Sequence, residues 1–396
     1  MNPFEYYNPV KVIYGPGEVK RIGEEASQYG KNALIISYSV VDFYGDLFER
    51  IHKSLTAHGM TYTDCFVATA NPKLSEARKA IALGKEKNTD VIIGVGGGSA
   101  MDLAKVVAAG ILYPHALEKM IRFSHSTDEQ IPPKSALPMM MIPTLPATAS
   151  EMNPTAVITD DLTQRKSYVW EPSCLYAKAA ILDPELTLTL PAYQTACGAI
   201  DAISHVVEPF FFSDEATFGN LALHDQMQIG VIRAIYENLP KVLENPNDIQ
   251  LRGMMQFAAT VGLNGWLTCG VQGWTPMHQM GHVLSSHFGA THGATLACMM
   301  LAWMRFFSSK ERNGRFKKFA GLMYNTDDLL EAADKFESYI KAQGVQTRIS
   351  QFGVTEADLE ALTNGVVEVS FSADGTLASI PPITREEAYQ IYKLAL

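Results

Sequence analysis

Asp90-Val91-Ile92-Ile93-Gly94-Val95-Gly96-Gly97-Gly98-Ser99-Ala100-Met101-Asp102-Leu103-Ala104-Lys105 is the stretch that decides the fold class. Its first part is an apolar run of strand length, hydrophobic on both faces, as a strand inside a covered parallel sheet must be. It runs straight into a glycine turn that opens a helix. Glycines there permit close backbone approach, and a helix N-terminus offers free N–H groups to negative charge, so this is where a parallel sheet binds phosphate. The turn is not the G-x-G-x-x-G fingerprint of the standard dinucleotide fold. The bland alternative is a tight strand-to-helix turn without a ligand, although three consecutive glycines cost considerable chain entropy.

Toward the N-terminus the same alternation repeats. Lys11 to Gly15 reads as a strand ending in the turn Gly15-Pro16-Gly17, followed by a helical pattern through Tyr29. Asn32 to Ser37 is a second strand before a helix over Asp46 to Gly59, and Thr61 to Val67 a third before a helix over Lys73 to Lys87. Beyond a loop with several prolines, Leu137 to Pro143 suggests another strand, leading into Thr144-Leu145-Pro146-Ala147-Thr148-Ala149-Ser150-Glu151. Hydroxyls just past a strand end suit cofactor ribose, adenine or phosphate; an N-capped polar loop is the plain alternative. Lys166 lies in a polar segment and by default is a solvated surface lysine.

A strand ends at Leu182-Asp183-Pro184, and Pro191 suits a helix start. From there the alternation stops and helical periods dominate: Ala192 to Val207, Ala216 to Asn238, Asp248 to Leu267, Met277 to His287, and Gly293 to Phe307. The expectation is an α/β dinucleotide-binding domain with a parallel sheet over residues 1–187, then an all-α metal-binding and catalytic domain over 188–396.

Two domains also suit a length of 396 residues. Hydrophobic residues at 47% and charged residues at 19% exclude a disordered or low-complexity chain. A formal net charge of -10 removes the usual electrostatic case for binding nucleic acid or an anionic membrane. Five scattered cysteines without a C-x-x-C pair argue against a disulfide framework or a cysteine zinc site and suit the cytoplasm. The N-terminus shows no basic region followed by an apolar run, so no signal peptide is expected, and no apolar run approaches a bilayer span.

Between Arg252 and Arg305 no Asp, Glu, Lys or Arg occurs, yet His278, His282, His287 and His292 do. Buried imidazoles need partners, and a metal ion could engage several at once. Upstream, Asp201 and His205 are four apart and project from one helix face, as do His278 and His282. An aspartate with three imidazoles suits a divalent first-row metal, Fe²⁺ or Zn²⁺. Taken singly, each has a bland reading: Asp201 and His205 as a hydrogen-bonded pair, His278 as a satisfied core histidine, His292 as a cap near Gly293. In a segment that excludes every other charge, a metal site accounts for them better.

With these motifs in place the sequence resembles the iron-containing (group III) alcohol dehydrogenase family over nearly its whole length. The resemblance rests on Gly96-Gly97-Gly98-Ser99 with Asp102 and Lys105, the Thr144 to Glu151 loop, Leu182-Asp183-Pro184, Asp201-x-x-x-His205-x-x-Glu208, and His278-x-x-x-His282 with His292-Gly293. Gly262-Leu263-Asn264-Gly265 and Gly281-His282-Val283-Leu284 are most similar to the butanol dehydrogenase and broad-specificity aldehyde reductase branch. The resemblance implies Asp201, His205, His278 and His292 as metal ligands. It implies Gly97, Gly98 and Ser99 on the cofactor pyrophosphate, Thr144 and Thr148 near adenine or phosphates, Lys166 on a cofactor ribose and Asp102 near the nicotinamide. His282, beside the ligands, is the position considered for proton relay or for support of the site.

The implied reaction interconverts a primary alcohol and an aldehyde by hydride transfer with a nicotinamide cofactor, at a metal acting as Lewis acid, Fe²⁺ favoured and Zn²⁺ open. NAD-selective sites commonly place an acid after the second strand to bind the ribose 2′-OH. Here that segment reads Ser37-Tyr38-Ser39-Val40-Val41, with the first acid at Asp42. NADP(H) is therefore the expected cofactor, with Tyr38 and Ser39 beside it and NAD(H) the alternative, since no Arg or Lys stands there for a 2′-phosphate. The uncharged stretch favours a small neutral substrate such as butanal or butanol. It counts against an NAD-using lyase of the dehydroquinate synthase type, which needs several cations, and the complete ligand set counts against a silent metal- or nucleotide-binding protein. A homodimer stays open.

Overall fold

The computed structural model describes residues 1–125, 130–310 and 314–396, so part of the proline-containing loop lies outside the described residues. The N-terminal half contains β1 (Lys11–Tyr14), α1 (Ile22–Ala26), β2 (Asn32–Tyr38), α2 (Leu47–Ala57), β3 (Thr61–Ala68), α3 (Leu74–Glu86), β4 (Val91–Gly96), α4 (Gly98–Leu112), β5 (Met139–Pro143), β6 (Thr155–Thr159), β7 (Lys166–Trp170) and β8 (Ala179–Leu182). Six of these strands form one sheet in the order β1-β8-β5-β4-β2-β3, with every pairing parallel. Side-chain alternation sorts the sheet residues onto two faces. Ala33, Ile35, Ile93, Val95 and Met140 pack with Ile22, Leu47, Ile51 and Leu55 of α1 and α2. Leu34, Ile36, Ile92, Met139 and Met141 pack with Leu74, Ala77 and Ala80 of α3 and with α4. Both faces are covered, as the apolar run at 91–95 requires. Asp183 closes the sheet by accepting the backbone N–H of Gly17 at 3.0 Å and of Val19 at 3.1 Å.

The antiparallel hairpin of β6 and β7 departs from the expected strand-helix alternation. β6 lies against α4, and β7 against a helix of the second half.

That half comprises α5 (Ala192–Phe212), α6 (Glu215–Phe218), α7 (Ala222–Glu244), α8 (Ile249–Gly262), α9 (Pro276–Phe288), α10 (His292–Ser308), α11 (Arg315–Tyr324), α12 (Leu329–Ala342), α13 (Leu359–Ser370) and α14 (Arg385–Ala395). The expectation of an all-helical region is corrected slightly, because β9 (Thr376–Leu377) and β10 (Ile383–Thr384) pair antiparallel. The pattern read as one helix from Ala216 breaks at Gly219, whose φ is 74°. α10 is apolar all round and correspondingly central: Gly293 through Met304 are all buried, against α5, α9, α12 and α14. Among the described residues no helix is long and apolar enough to cross a membrane.

Candidate metal and cofactor site

α5 carries Asp201, His205 and Glu208 at successive turns of one face, all buried. α9 contributes His278 from its first turn, and His292 is the first residue of α10. Gly293 makes this convergence sterically feasible, since a Cβ there would lie 2.0 Å from the carbonyl oxygen of Cys197 on α5. With hydrogen in its place α10 docks on α5, and His292 arrives beside Asp201.

Three imidazole nitrogens then converge on one carboxylate oxygen. Asp201 Oδ1 stands 3.6 Å from His205 Nε2, 3.5 Å from His278 Nε2 and 3.6 Å from His292 Nε2. Ligand atoms of Asp201, His278 and His292 lie within 4.8 Å of one another, and the His205 ring stacks on His278 at 4.2 Å. These separations are too long for hydrogen bonds, which corrects the bland reading of Asp201 and His205 as a bonded pair. Among the described residues Asp201 Oδ1, both His205 nitrogens and His278 Nε2 have no hydrogen-bond partner although buried. Unpaired buried polar atoms are costly. Ligands around a tetrahedral first-row ion, with bonds of roughly 2.0–2.2 Å, stand roughly 3.3–3.6 Å apart, which the spacings from Asp201 Oδ1 match; Asp201, His278 and His292 form the compact group suited to a divalent metal, and His205 adjoins it through Asp201.

Glu208 orients His278. Its Oε1 accepts the backbone N–H of His278 at 3.1 Å, and its Oε2 pairs with Nδ1 of the same residue at 2.5 Å. A proton on Nδ1 leaves the Nε2 lone pair facing Asp201, the arrangement by which a carboxylate sets the tautomer of a ligating histidine. Burial works against charge on His278, yet Glu208 and Asp201 raise it to about 9, so a metal binding at Nε2 would displace the second proton. Burial lowers His205 to about 3, with His278 pushing the same way.

His282 adjoins but does not belong to the compact group of Asp201, His278 and His292, its ring 5.3 Å from that of His292 and 6.4 Å from that of His278. Burial and then the nearby Lys166 push it well below the ordinary histidine value. His287 is exposed, with Nδ1 3.0 Å from the carbonyl oxygen of Val283. Lys166 overturns the reading of a solvated lysine. It is buried on β7, donates to Asn71 Oδ1 at 2.7 Å, and is held at about 8 by burial against the pull of Asp201 and Asp102. It stands between the two halves because β7 packs against α9.

The glycine turn sits in the crevice where the sheet order reverses, between the C-terminal ends of β2 and β4, the place where such sheets bind ligands. Gly97 caps α4, and Ser99 lies in its first turn. Thr148 packs directly on Gly98, where a Cβ would meet its Oγ1 at 2.6 Å. Thr144 follows β5, buried, its Oγ1 3.1 Å from the Tyr44 hydroxyl. Tyr38 ends β2 with its ring over Gly96, and Ser39 beyond it is exposed. Asp102 is turned into the protein, accepting the Ser150 hydroxyl at 2.6 Å and the backbone N–H of Val157 at 2.9 Å. Lys105 is buried against the carbonyl oxygens of Asn153 at 2.8 Å and Thr155 at 2.6 Å. The structure thus gathers the predicted cofactor residues at one edge and the predicted ligands at another, with Lys166 between.

Glu208 and Asn71 had no assigned role in the sequence reading. Glu208 carried a usable signal, a carboxylate seven residues after Asp201 on the same face of an otherwise apolar helix. Asn71 carried none, since it meets Lys166 only through the fold.

Residues 9–184 match the family described as iron-containing alcohol dehydrogenase, and residues 195–396 its C-terminal region. Over the full length of both chains the sequence is 31% identical to the probable NADH-dependent butanol dehydrogenase 1 of Bacillus subtilis. It is 28% identical, again over both full lengths, to the NADPH-dependent aldehyde reductase YqhD of Escherichia coli. The crystal structure of NADH-dependent butanol dehydrogenase A from Thermotoga maritima superposes with a TM-score of 0.91 at 31% identity, covering 100% of this chain and 99% of that one. The glycine turn, the convergent Asp201 cluster and the two matched regions together make this chain a member of the iron-containing alcohol dehydrogenase family, in its butanol dehydrogenase and aldehyde reductase branch.

Proposed function

We propose that the protein reduces small neutral aldehydes such as butanal, and oxidises the corresponding primary alcohols, at a divalent metal with NADP(H) as the preferred cofactor. The observation that carries this reading is the convergence of three histidine Nε2 atoms on Asp201 Oδ1 at 3.5–3.6 Å. Asp201, His205, His278 and His292 hold the ion, Fe²⁺ by family, and Glu208 holds His278 in register. A metal there supplies Lewis acidity to the substrate oxygen, and the nicotinamide supplies or accepts the hydride.

The rest falls to the chain itself. Gly97, Gly98 and Ser99 present backbone N–H groups to the diphosphate, Thr148 braces Gly98, and Thr144, Ser39 and the ring of Tyr38 line the adenosine side. Lys166, between the crevice and the cluster, binds the ribose on the nicotinamide side. Asp102, tied to Ser150 and Val157, stands behind the nicotinamide end and holds that wall in place. His282, close to the ligands without joining them, relays the proton to or from the substrate oxygen. Residues 1–187 form the cofactor half and residues 188–396 the metal half.

The preference for NADP(H) is supported by the end of β2, where Tyr38 and Ser39 stand and no carboxylate precedes Asp42. Relatives named for NADH and for NADPH are similarly distant, at 31% and 28% identity. Five free cysteines support a reducing compartment. The exposed Val12 and Tyr14 on the edge strand β1, beside the exposed Phe257, support a homodimer, which light scattering would read.

Asp201→Ala and His278→Ala are expected to lose bound metal, by elemental analysis of anaerobically prepared protein, together with NADPH-linked butanal reduction. A variant without metal that turns over normally would overturn the assignment. A higher kcat/KM with NADH than with NADPH would overturn the cofactor preference alone.

A further inference from the structure

The cofactor crevice already contains an oxygen from the protein itself. Tyr38 leaves the end of β2 and folds across the glycine turn: a Cβ on Gly96 would lie 3.0 Å from its ring carbon Cε2, and a Cβ on Gly97 would lie 3.0 Å from its hydroxyl oxygen. Burial pushes this phenol up to about 12, while the nearby Gly97 backbone and then the Ser99 hydroxyl pull it back. Those are the groups that a helix N-terminus offers to a phosphate. A second tyrosine of the same segment does the same to the neighbouring wall, where the Tyr44 hydroxyl occupies Thr144 Oγ1 at 3.1 Å. Val40 and Phe43 between them are exposed, and Gly45 just after Tyr44 has a φ of 57°.

We propose that Tyr38 is an affinity-setting residue of the cofactor site, its hydroxyl standing where a diphosphate oxygen binds and withdrawing before the nicotinamide cofactor can seat. The inference rests on the glycine turn being the diphosphate site. An occupied turn is a binding-incompetent state, so the apparent dissociation constant is raised by the inverse of the fraction in which Tyr38 has moved out. Because the diphosphate is common to both coenzymes, the effect is equal for NADH and NADPH. A residue that read the ribose 2′ position would instead separate them.

The test titrates metal-loaded full-length protein with NADPH and with NADH, following nicotinamide fluorescence, and repeats the measurement by stopped flow. In Tyr38→Phe the ring stays and only the competing hydroxyl goes. Dissociation constants for both coenzymes are expected to fall together by about three- to tenfold, the worth of one hydrogen bond, with faster association. Gly98→Val, which drives a side chain into Thr148 at the turn, is expected to lose binding of both. If Gly98→Val binds like the wild type, the diphosphate reading fails and the proposal with it. If Gly98→Val loses binding while Tyr38→Phe binds more weakly, equally, or differently for only one coenzyme, the Tyr38 proposal alone is overturned.

Discussion

At the scale of single residues, the site depends on groups that fix one another's chemistry. Glu208 is fully buried and spends both oxygens on His278. Glu208→Ala should therefore weaken metal retention by about 10- to 100-fold in a chelator competition. Glu208→Gln should fall in between, because its amide oxygen can still accept from Nδ1; equal behaviour of wild type and Ala variant would remove the orienting role. His282 makes the complementary case. His282→Ala should keep its metal, by elemental analysis, while turnover drops by about 10²- to 10⁴-fold, as for loss of a general acid or base. Loss of metal instead would make His282 part of the ligand set. Lys166 shows the limit of reading one residue at a time, for its polar neighbours in sequence suggested solvent, and only the packing of β7 on α9 buries it.

At the scale of elements, the position of His292 is a property of two helices. Gly293→Ala places a methyl group against the Cys197 carbonyl. The helices must part, at an expected cost of about 3 kcal/mol in urea unfolding, and metal retention should fall with it. Away from the site, Glu337 joins α12 to α10 and to Arg348, with side-chain contacts to Arg305, to Lys341 at 2.8 Å and to Arg348 at 3.5 Å. Burial alone would raise its carboxyl, but Lys341, Arg305 and Arg348 outweigh it and hold it at about 2. The folded value lies below the ordinary glutamate value, so the stabilisation is full above about pH 4.5 and is lost as pH falls from there toward 2. The stability difference between wild type and Glu337→Gln should thus be about 2 kcal/mol at neutral pH and shrink across that window. A difference independent of pH would show that packing, not charge, is responsible.

At the scale of the molecule, the four proposed ligands come from α5, α9 and α10, so a metal held by them would couple its binding to the fold of the second half. A ligand that binds only the native state at 1,000 times its dissociation constant stabilises it by about 4 kcal/mol. Chelation should lower the Tm and added Fe²⁺ or Zn²⁺ restore it; an unchanged Tm with metal demonstrably removed would show that the cluster is held by packing alone. Much of the architecture was legible from residue order. Apolar runs at 32–37 and 91–95, followed by helical periods, sufficed for the covered parallel sheet, because side-chain alternation and strand length are local properties. Asp201 to His205 and His278 to His282 were legible as helix-face pairs for the same reason. The β6 and β7 hairpin was not, since its strands are short and its polar segment resembles a loop. Residue type and helical spacing were enough to mark the candidates for binding metal and phosphate. The meeting of three imidazoles at one oxygen of Asp201, the turning of His278 toward it by Glu208, and the position of Tyr38 across the glycine turn came from packing. Those relations join residues up to 91 positions apart in the chain, as Asp201 and His292 are, and they exist only once helices and strands have packed.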